Sequence, residues 1–482
     1  MRLNIKSNLL KVALVTMPLV ATISSCQKNF LDAVPELSLS DVNAFDTPDR
    51  VLAQVNGLYL SAKHGALFGG RYLIYNDIRA EEFLNRTANG VTGYTVYQGT
   101  NNSSDTYVGN FWTRGYLTIN QINLFLKGLD DNASKIDPAL AANYRSEAKF
   151  LRAMTYHALV QMFAKPYILD NGASKAIPLR LQPETTLANN DFPKSTVAQV
   201  YTQILKDLDE AEAGLPDTYS SALLRTTRAH KNTAIALKTR VYLAKGDYAK
   251  VITEGNKIVS AAAPFKSSTG AAHALQANIT DVFKAPYTTS ESIFSFPMAD
   301  TNAPGTQNQL GYYFNVGNLE YVINKNAPGI FANAQWGAND IRRTQLTAVH
   351  TLGTYPTKFS GVSPYIDFVP QIRYAEVLLN LAEAEAEAGS AIRAVELLKA
   401  VHLRSDAAYV FSPTLLLDKP ALINAILTER RIELFSEGFR ANDILRRGQS
   451  INSIGAGSLI APTDQRYIFP IPVGETDSNK GL

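Results

Sequence analysis

The 482-residue chain is expected to be mostly α-helical, and three observations predict this. Apolar residues recur at three- and four-residue steps between 111 and 164, 195 and 214, 228 and 260, and 371 and 447. Two of these stretches break at a glycine, Gly246 and Gly389, between two amphipathic runs. That is the pattern of a helical hairpin, and hairpins of this kind bury one face against the next in tetratricopeptide-like repeats. The third observation is a low-period region, 262–370, rich in Gly, Asn, Pro and Tyr. The expected architecture is therefore helical pairs carrying a large, irregular, loop-rich insertion.

The N-terminus comes first in the chain. Arg2, Lys6 and Lys11 form a positive region, and Val12 to Ile23 is an apolar run too short to span a bilayer convincingly. Ile23-Ser24-Ser25-Cys26 is similar to a bacterial lipobox, and Cys26 is the only cysteine. A lone thiol cannot close an internal disulfide, so Cys26 reads as the lipidated first residue after a signal peptide, 1–25. Two or more acyl chains there exceed what stable membrane anchoring needs. Residues 27–40 carry Pro35 and no helical period, and read as a tether.

A helix is predicted from Asp46 to Tyr59, with Thr47 as N-cap and Pro48 at its first position. Residues 65–110 are rich in Gly, Asn, Ser, Thr and Tyr and read as a long polar loop, the kind that carries function. Helices follow. Trp112, Tyr116, Ile119, Ile122 or Asn123, and Leu126 share one face; Ala148, Leu151, Tyr156, Leu159 and Phe163 share another, ended by Pro166. Ser195 is the expected N-cap of a run closed by Gly214 and Pro216. The Gly246 hairpin covers 228–260. In the Gly389 hairpin, Ile372, Ala375, Leu379, Ala382 and Ala386 form the first stripe; Ala391, Val395, Leu398 and Val401 start the second. Residues 461–473 form an extended closing segment expected to pack back on the helices.

Composition narrows the function. The 46 basic residues exceed the 43 acidic ones by the three in the leader, so the body is neutral and lacks the basic character of a nucleic-acid binder. The densest charge lies at 429–447, where Glu429, Glu433 and Glu437 share a helix face at four-residue spacing. Like charges so placed repel. An ion-pair network bracing two helices, with Arg430, Arg440 and Arg446 nearby, resolves this better than a glycosidase carboxylate pair. The six histidines form no metal-ligand spacing; His157 and His402 sit in amphipathic helices as packing residues. No nucleophile elbow, phosphate loop or dinucleotide fingerprint occurs in a fitting context. No metal, cofactor or catalytic residue is assigned.

What remains is aromatic loop chemistry. Sugars offer C–H faces to aromatic rings and hydroxyls to amides. Tyr94, Tyr97, Asn101, Asn102 and Tyr107 lie in one such loop, and Tyr312, Tyr313, Tyr321 and Trp336 in another. These are the candidate ligand contacts, provided that they are exposed rather than local core.

Several motifs then occur in one order. Cys26 is followed by FLDAVP, then Trp112, Tyr116, Ile119 and Asn123 in a W-x3-Y-x2-I-x3-N spacing, then EAKFLRAMTYHALVQMF. RTTRAHKNTAIALKTRVYLAKGDY, RYAEVLLNLAEAEAEAG, ERRIELFSEGFRANDILRRG and YIFPIPVGE complete the set. By these the chain resembles the SusD/RagB family of Gram-negative nutrient-binding outer-membrane lipoproteins over nearly its whole length. The resemblance implies a single SusD-like domain over 26–482: a helical part to 260 holding the 65–110 loop, an irregular ligand-binding part over 261–370, and a helical repeat and closing segment over 371–482. It implies no catalytic residues. It implies an oligosaccharide or other nutrient as ligand, and a SusC-like TonB-dependent outer-membrane transporter as partner. Two other readings stay open: a helical scaffold binding a protein or peptide, and a surface glycosidase.

Overall fold

The computed structural model describes residues 43–186 and 190–482. The leader, Cys26 and the tether lie outside the described residues.

Helix α1 (Pro48–Ala62) starts as predicted: the Thr47 hydroxyl accepts from the Arg50 N–H and Pro48 takes the first position. The next stretch departs from expectation. Within 65–110, helix α2 (Arg71–Ile78) is buried at all eight positions. Its polar residues mislead because Arg71, Asn76 and Asp77 have partners within the fold. Arg71 Nε donates to Asn308 at 2.8 Å, Asn76 donates to the Tyr72 carbonyl, and Asp77 accepts the Gly438 N–H. Strand β1 (Phe83–Asn85) and the short α3 (Tyr94–Gln98) follow. Asp105 then caps α4 (Thr106–Asp131) by accepting from the Tyr107 and Val108 N–H groups, so this helix begins before its apolar stripe.

Asp137 caps α5 (Pro138–Phe163). Thr196, rather than Ser195, caps α6 (Val197–Gly214), in a reciprocal capping box with Gln199. The short α7 (Ala222–Thr227) leads to the first hairpin, α8 (Lys231–Lys245) and α9 (Tyr248–Ile258), joined through Gly246 at φ 73°.

The insertion is irregular, as expected. It holds β2 (Ser292–Phe296), α10 (Leu310–Phe314), β3 (Tyr321–Ile323), α11 (Ile341–Thr344), β4 (Thr347–His350), β5 (Gly353–Pro356) and β6 (Val369–Arg373). The second hairpin is α12 (Tyr374–Ala388) and α13 (Ala391–Ser405); then come α14 (Lys419–Glu433) and α15 (Arg440–Arg446). β7 (Ile451–Ser453), β8 (Ser458–Ile460) and α16 (Val473–Ser478) end the chain. The sheets among the described residues are antiparallel pairs: β1 with β3, β2 with β6, β4 with β5 and β7 with β8.

The helices pack in a continuous row, α4 on α5, α5 on α6, α6 on α8, α8 on α9 and α9 on α12, with α13 and α14 against α12. The two hairpins, remote in sequence, are therefore neighbours in space, and the fold is the helical, tetratricopeptide-like one. Every predicted residue of this stripe is buried, from Ile372 to Ala386, though Ile372 lies on β6 rather than on the helix, which begins at Tyr374. The closing segment docks where Phe469 N–H donates to the Met162 carbonyl at 2.8 Å.

The charged block is a buried ion network, but its partners differ from the expected ones. Glu433 accepts from Arg373, Arg404 and Arg342; Glu429 accepts from Arg342 and lies 2.6 Å from His402 Nδ1; Glu437 accepts from Arg373 and Lys358. Glu291, from β2's edge, bridges Arg373 and Arg404. Arg440 instead binds Glu81, while Arg446 binds Glu383 and Asp443, which also holds Arg430. The network thus ties α13, α14, β2, β6 and the insertion together. Burial alone would push the Glu433 carboxyl up; the guanidinium groups of Arg404, Arg373 and Arg342 override that and hold it well below the ordinary carboxylate range. No described helix is long and apolar enough to cross a membrane.

Candidate functional site

Three contacts bring the two tyrosine-bearing segments together. β1 pairs with β3, placing Asn85 opposite Tyr321 and Phe83 opposite Ile323. The Tyr97 ring, on α3, meets the Tyr321 ring edge-on with centroids 5.8 Å apart. Arg71 bridges from beneath: its guanidinium lies 4.5 Å from the centre of the Tyr107 ring while Nε holds Asn308. An arginine over an aromatic face is a favourable electrostatic pair, and here it fixes the start of α4 to the loop before α10.

The rings form a track. Tyr94 stacks on Tyr97 at 6.3 Å, Tyr97 meets Tyr321, and Tyr321 stacks on Tyr313 at 6.0 Å and 5°. Tyr313 meets Tyr312 edge-on at 6.4 Å, and Tyr312 meets Tyr365 at 5.9 Å. The two ends, Tyr94 and the Tyr312–Tyr365 pair, are half-buried. The middle is not open to a ligand: Tyr313 and Tyr321 are 0% exposed and Tyr97 8%. Expecting Tyr97, Tyr313 and Tyr321 on an exposed loop is thus corrected. They are the base that holds the end rings.

Trp336 is corrected too. It is 3% exposed and packs against Phe331 and Phe435, with the Arg343 guanidinium 5.2 Å from its ring centre. Tyr107 and Asn101 are half-buried, and Asn102 is exposed. The Asn102 side-chain oxygen accepts from the Ser104 N–H, which shapes the turn into Asp105. Asp105 in turn accepts from the Thr95 hydroxyl at 2.5 Å, tying α3 to α4.

Beside Tyr312 runs a polar edge. Glu320 accepts from Thr87, Asn89 and Asn318, and Arg86 Nε donates to the Leu319 carbonyl. Burial, then the Glu320 charge, raises the Tyr312 phenol; burial raises Tyr313 and Tyr321 well above the ordinary value. These phenols therefore stay protonated and serve as apolar faces and hydrogen-bonding groups rather than bases. The Tyr313 hydroxyl is buried without a hydrogen-bond partner.

Sequence reasoning missed Arg71, Asn308 and Tyr365. Arg71 and Asn308 stand in polar stretches without periodicity, and only the fold brings them to Tyr107. Tyr365 had a weak signal, as a tyrosine in the same Gly- and Pro-rich insertion.

The carboxylates of the charged block offer no comparable surface. Both oxygens of Glu429, Glu433 and Glu437 are taken by buried partners. One acid–histidine trio, Asp340, His402 and Asp406, brings ligand atoms within 4.8 Å of one another. Arg342 fills the cation's place there, binding Asp340 through Nε and Nη2, and His402 Nδ1 is engaged by Glu429.

The fold and sequence have known counterparts. A family described as starch-binding and associating with the outer membrane matches residues 29–243, and the SusD family matches residues 311–482. SusD-like protein P2 of Formosa agariphila is 26% identical, over 96% of this chain and 97% of that protein. A SusD superfamily protein from Bacteroides fragilis is 34% identical with a TM-score of 0.81, covering 91% of this chain and 99% of that one. A laminarin-binding SusD-like protein shares the fold at 21% identity and a TM-score of 0.70, over 90% of this chain and 98% of that one. Family models match both parts of the chain, and a relative 34% identical superposes along nearly all of it: the chain belongs to the SusD/RagB family.

Proposed function

We propose that this chain is a cell-surface binding protein for a glycan, held in the outer membrane by lipid on Cys26, that delivers its ligand to a SusC-like TonB-dependent transporter. Family membership supports a carbohydrate-binding surface protein, and the laminarin-binding relative shows that this fold serves such a ligand. The observation that carries the reading is the tyrosine track with half-buried ends. Tyr94, Tyr107, Tyr312 and Tyr365 are half-buried rings of the kind that suit sugar C–H groups, and Asn101, Asn102 and Asn318 offer amides of the kind that suit hydroxyls. The buried rings beneath keep the faces in place before a ligand arrives, which lowers the ordering cost of binding. The paired state of the block's carboxylates argues against the glycosidase reading.

Titration calorimetry of the full chain in detergent against neutral oligosaccharides, β-1,3-glucans included, tests the ligand class. Heat of binding to at least one is expected; none across the panel contradicts the glycan. Co-purification with a barrel transporter from the native membrane tests the partner. Loss of fatty-acid label in Cys26→Ala tests the anchor.

A further inference from the structure

A cavity lies between the end of α5, the connector before α6 and the closing segment. It measures about 410 Å³, within the range of small-molecule sites. Three lysines line it, Lys165, Lys175 and Lys194. Buried Phe163, Tyr467 and Phe469 form its floor, and Pro462, Ile468, Pro470 and the exposed Thr463 and Gln465 form its other walls.

The backbone holds these lysines in place. Ala176 N–H donates to the Ser195 carbonyl at 2.8 Å, Ser195 N–H donates to Ile177 at 3.1 Å, and Lys175 bridges to Thr196 antiparallel. This ribbon puts Lys175 and Lys194 diagonally across from one another, on the side that faces the cavity. Lys165 comes in from the end of α5, just ahead of Pro166.

The charge there is not balanced by the protein. Among the described residues, none of the three ammonium groups joins an ion pair or a side-chain hydrogen bond. The one carboxylate in the lining, Asp464, is bound by Arg466 at 2.7 Å. Lys165 and Lys175 are exposed at the mouth of the cavity, and Lys194 is half-buried. Like charges facing one concave, partly apolar space raise the local potential and draw an anion in.

We propose that this cavity binds an acidic sugar, one bearing a carboxylate or sulfate group, with the lysines on the anion and the half-buried Pro462, Ile468 and Pro470 on the sugar ring. The choice of a sugar rests on the function proposed above; the choice of an anion rests on the lysines alone.

The test is calorimetric titration of the full chain in detergent at low salt. The probes are digalacturonate, its neutral dimethyl ester, a sulfated chondroitin disaccharide and sodium sulfate. At least one acidic disaccharide is expected to bind, and to bind more weakly as salt is added. The ester and the inorganic ion are expected to bind at least about tenfold more weakly. The triple variant Lys165→Gln/Lys175→Gln/Lys194→Gln should lose at least about tenfold in affinity. It should keep its melting temperature and its affinity for any neutral glycan bound at the tyrosine track. The proposal is overturned if neither acidic disaccharide binds, if the ester matches the acid, or if the triple variant keeps its affinity. Equal binding of sulfate ion overturns the sugar and leaves an inorganic-anion site. Loss of neutral-glycan binding in the unsubstituted chain bears on the tyrosine track alone, so the two readings fail separately.

Discussion

The Tyr97 and Tyr321 rings meet edge-on, 5.8 Å between centroids and 67° between planes. This contact joins a helix of the N-terminal part to a strand of the insertion across more than two hundred residues. A double-mutant cycle with Tyr97→Ala and Tyr321→Ala should give a coupling of about 0.5–1.5 kcal/mol in urea unfolding. Strict additivity would mean that the two segments are not joined there.

Glu433 is the hub of the buried network, with Arg342, Arg373 and Arg404 on its two oxygens. Removing its charge leaves three guanidinium groups short of a partner. Glu433→Gln should cost about 3–5 kcal/mol of stability in chemical denaturation. Any glycan affinity measured on the folded fraction should be unchanged. A variant as stable as the parent would contradict the bracing role.

Acid should release the same brace. Burial pushes the Asp443 carboxyl up, but the Arg430 and Arg446 guanidinium groups bring it down to about 2, and Glu433 is held low as well. A folded-state value below the unfolded one adds stability above about pH 4 that is lost as pH falls through the folded value. Unfolding free energy should therefore drop steeply between about pH 4 and pH 2. Since the pairs are buried, added salt should change this little.

Asp77 works in the opposite sense. Burial pushes its carboxyl up to about 8, against the Gly438 and Arg440 N–H groups that favour its charge. A raised acid gives stability that is present below the unfolded value and lost as pH rises through about 8. Asp77→Asn should flatten the loss of stability between about pH 4 and pH 8, as read by melting temperature against pH. An unaltered slope would mean that Asp77 is not the group responsible.

Much of the fold was legible because its signals are local. Thr47-Pro48, the Gly246 and Gly389 breaks and the alanine stripe of α12 each fix an element by short-range chemistry. The helix over Arg71–Ile78 was not, because its polar residues are satisfied by Asn308 and Gly438, far off in the chain. For the same reason the charged block announced a network but not its members: Arg342, Arg373, Arg404 and Lys358 reach it only through tertiary packing. Composition located both tyrosine segments. It could not sort Tyr94 and Tyr312 from Tyr313, Tyr321 and Trp336, since an aromatic ring serves a core and a sugar face equally well.

The central claim is that the half-buried ends of the tyrosine track hold a glycan. It is tested most directly by titrating a bound oligosaccharide into Tyr94→Ala and Tyr312→Ala, singly and together, beside Trp336→Phe. The pair is expected to lose at least about tenfold in affinity with its melting temperature kept, and Trp336→Phe to leave affinity within about twofold. Full affinity in the Tyr94→Ala/Tyr312→Ala variant would contradict the account.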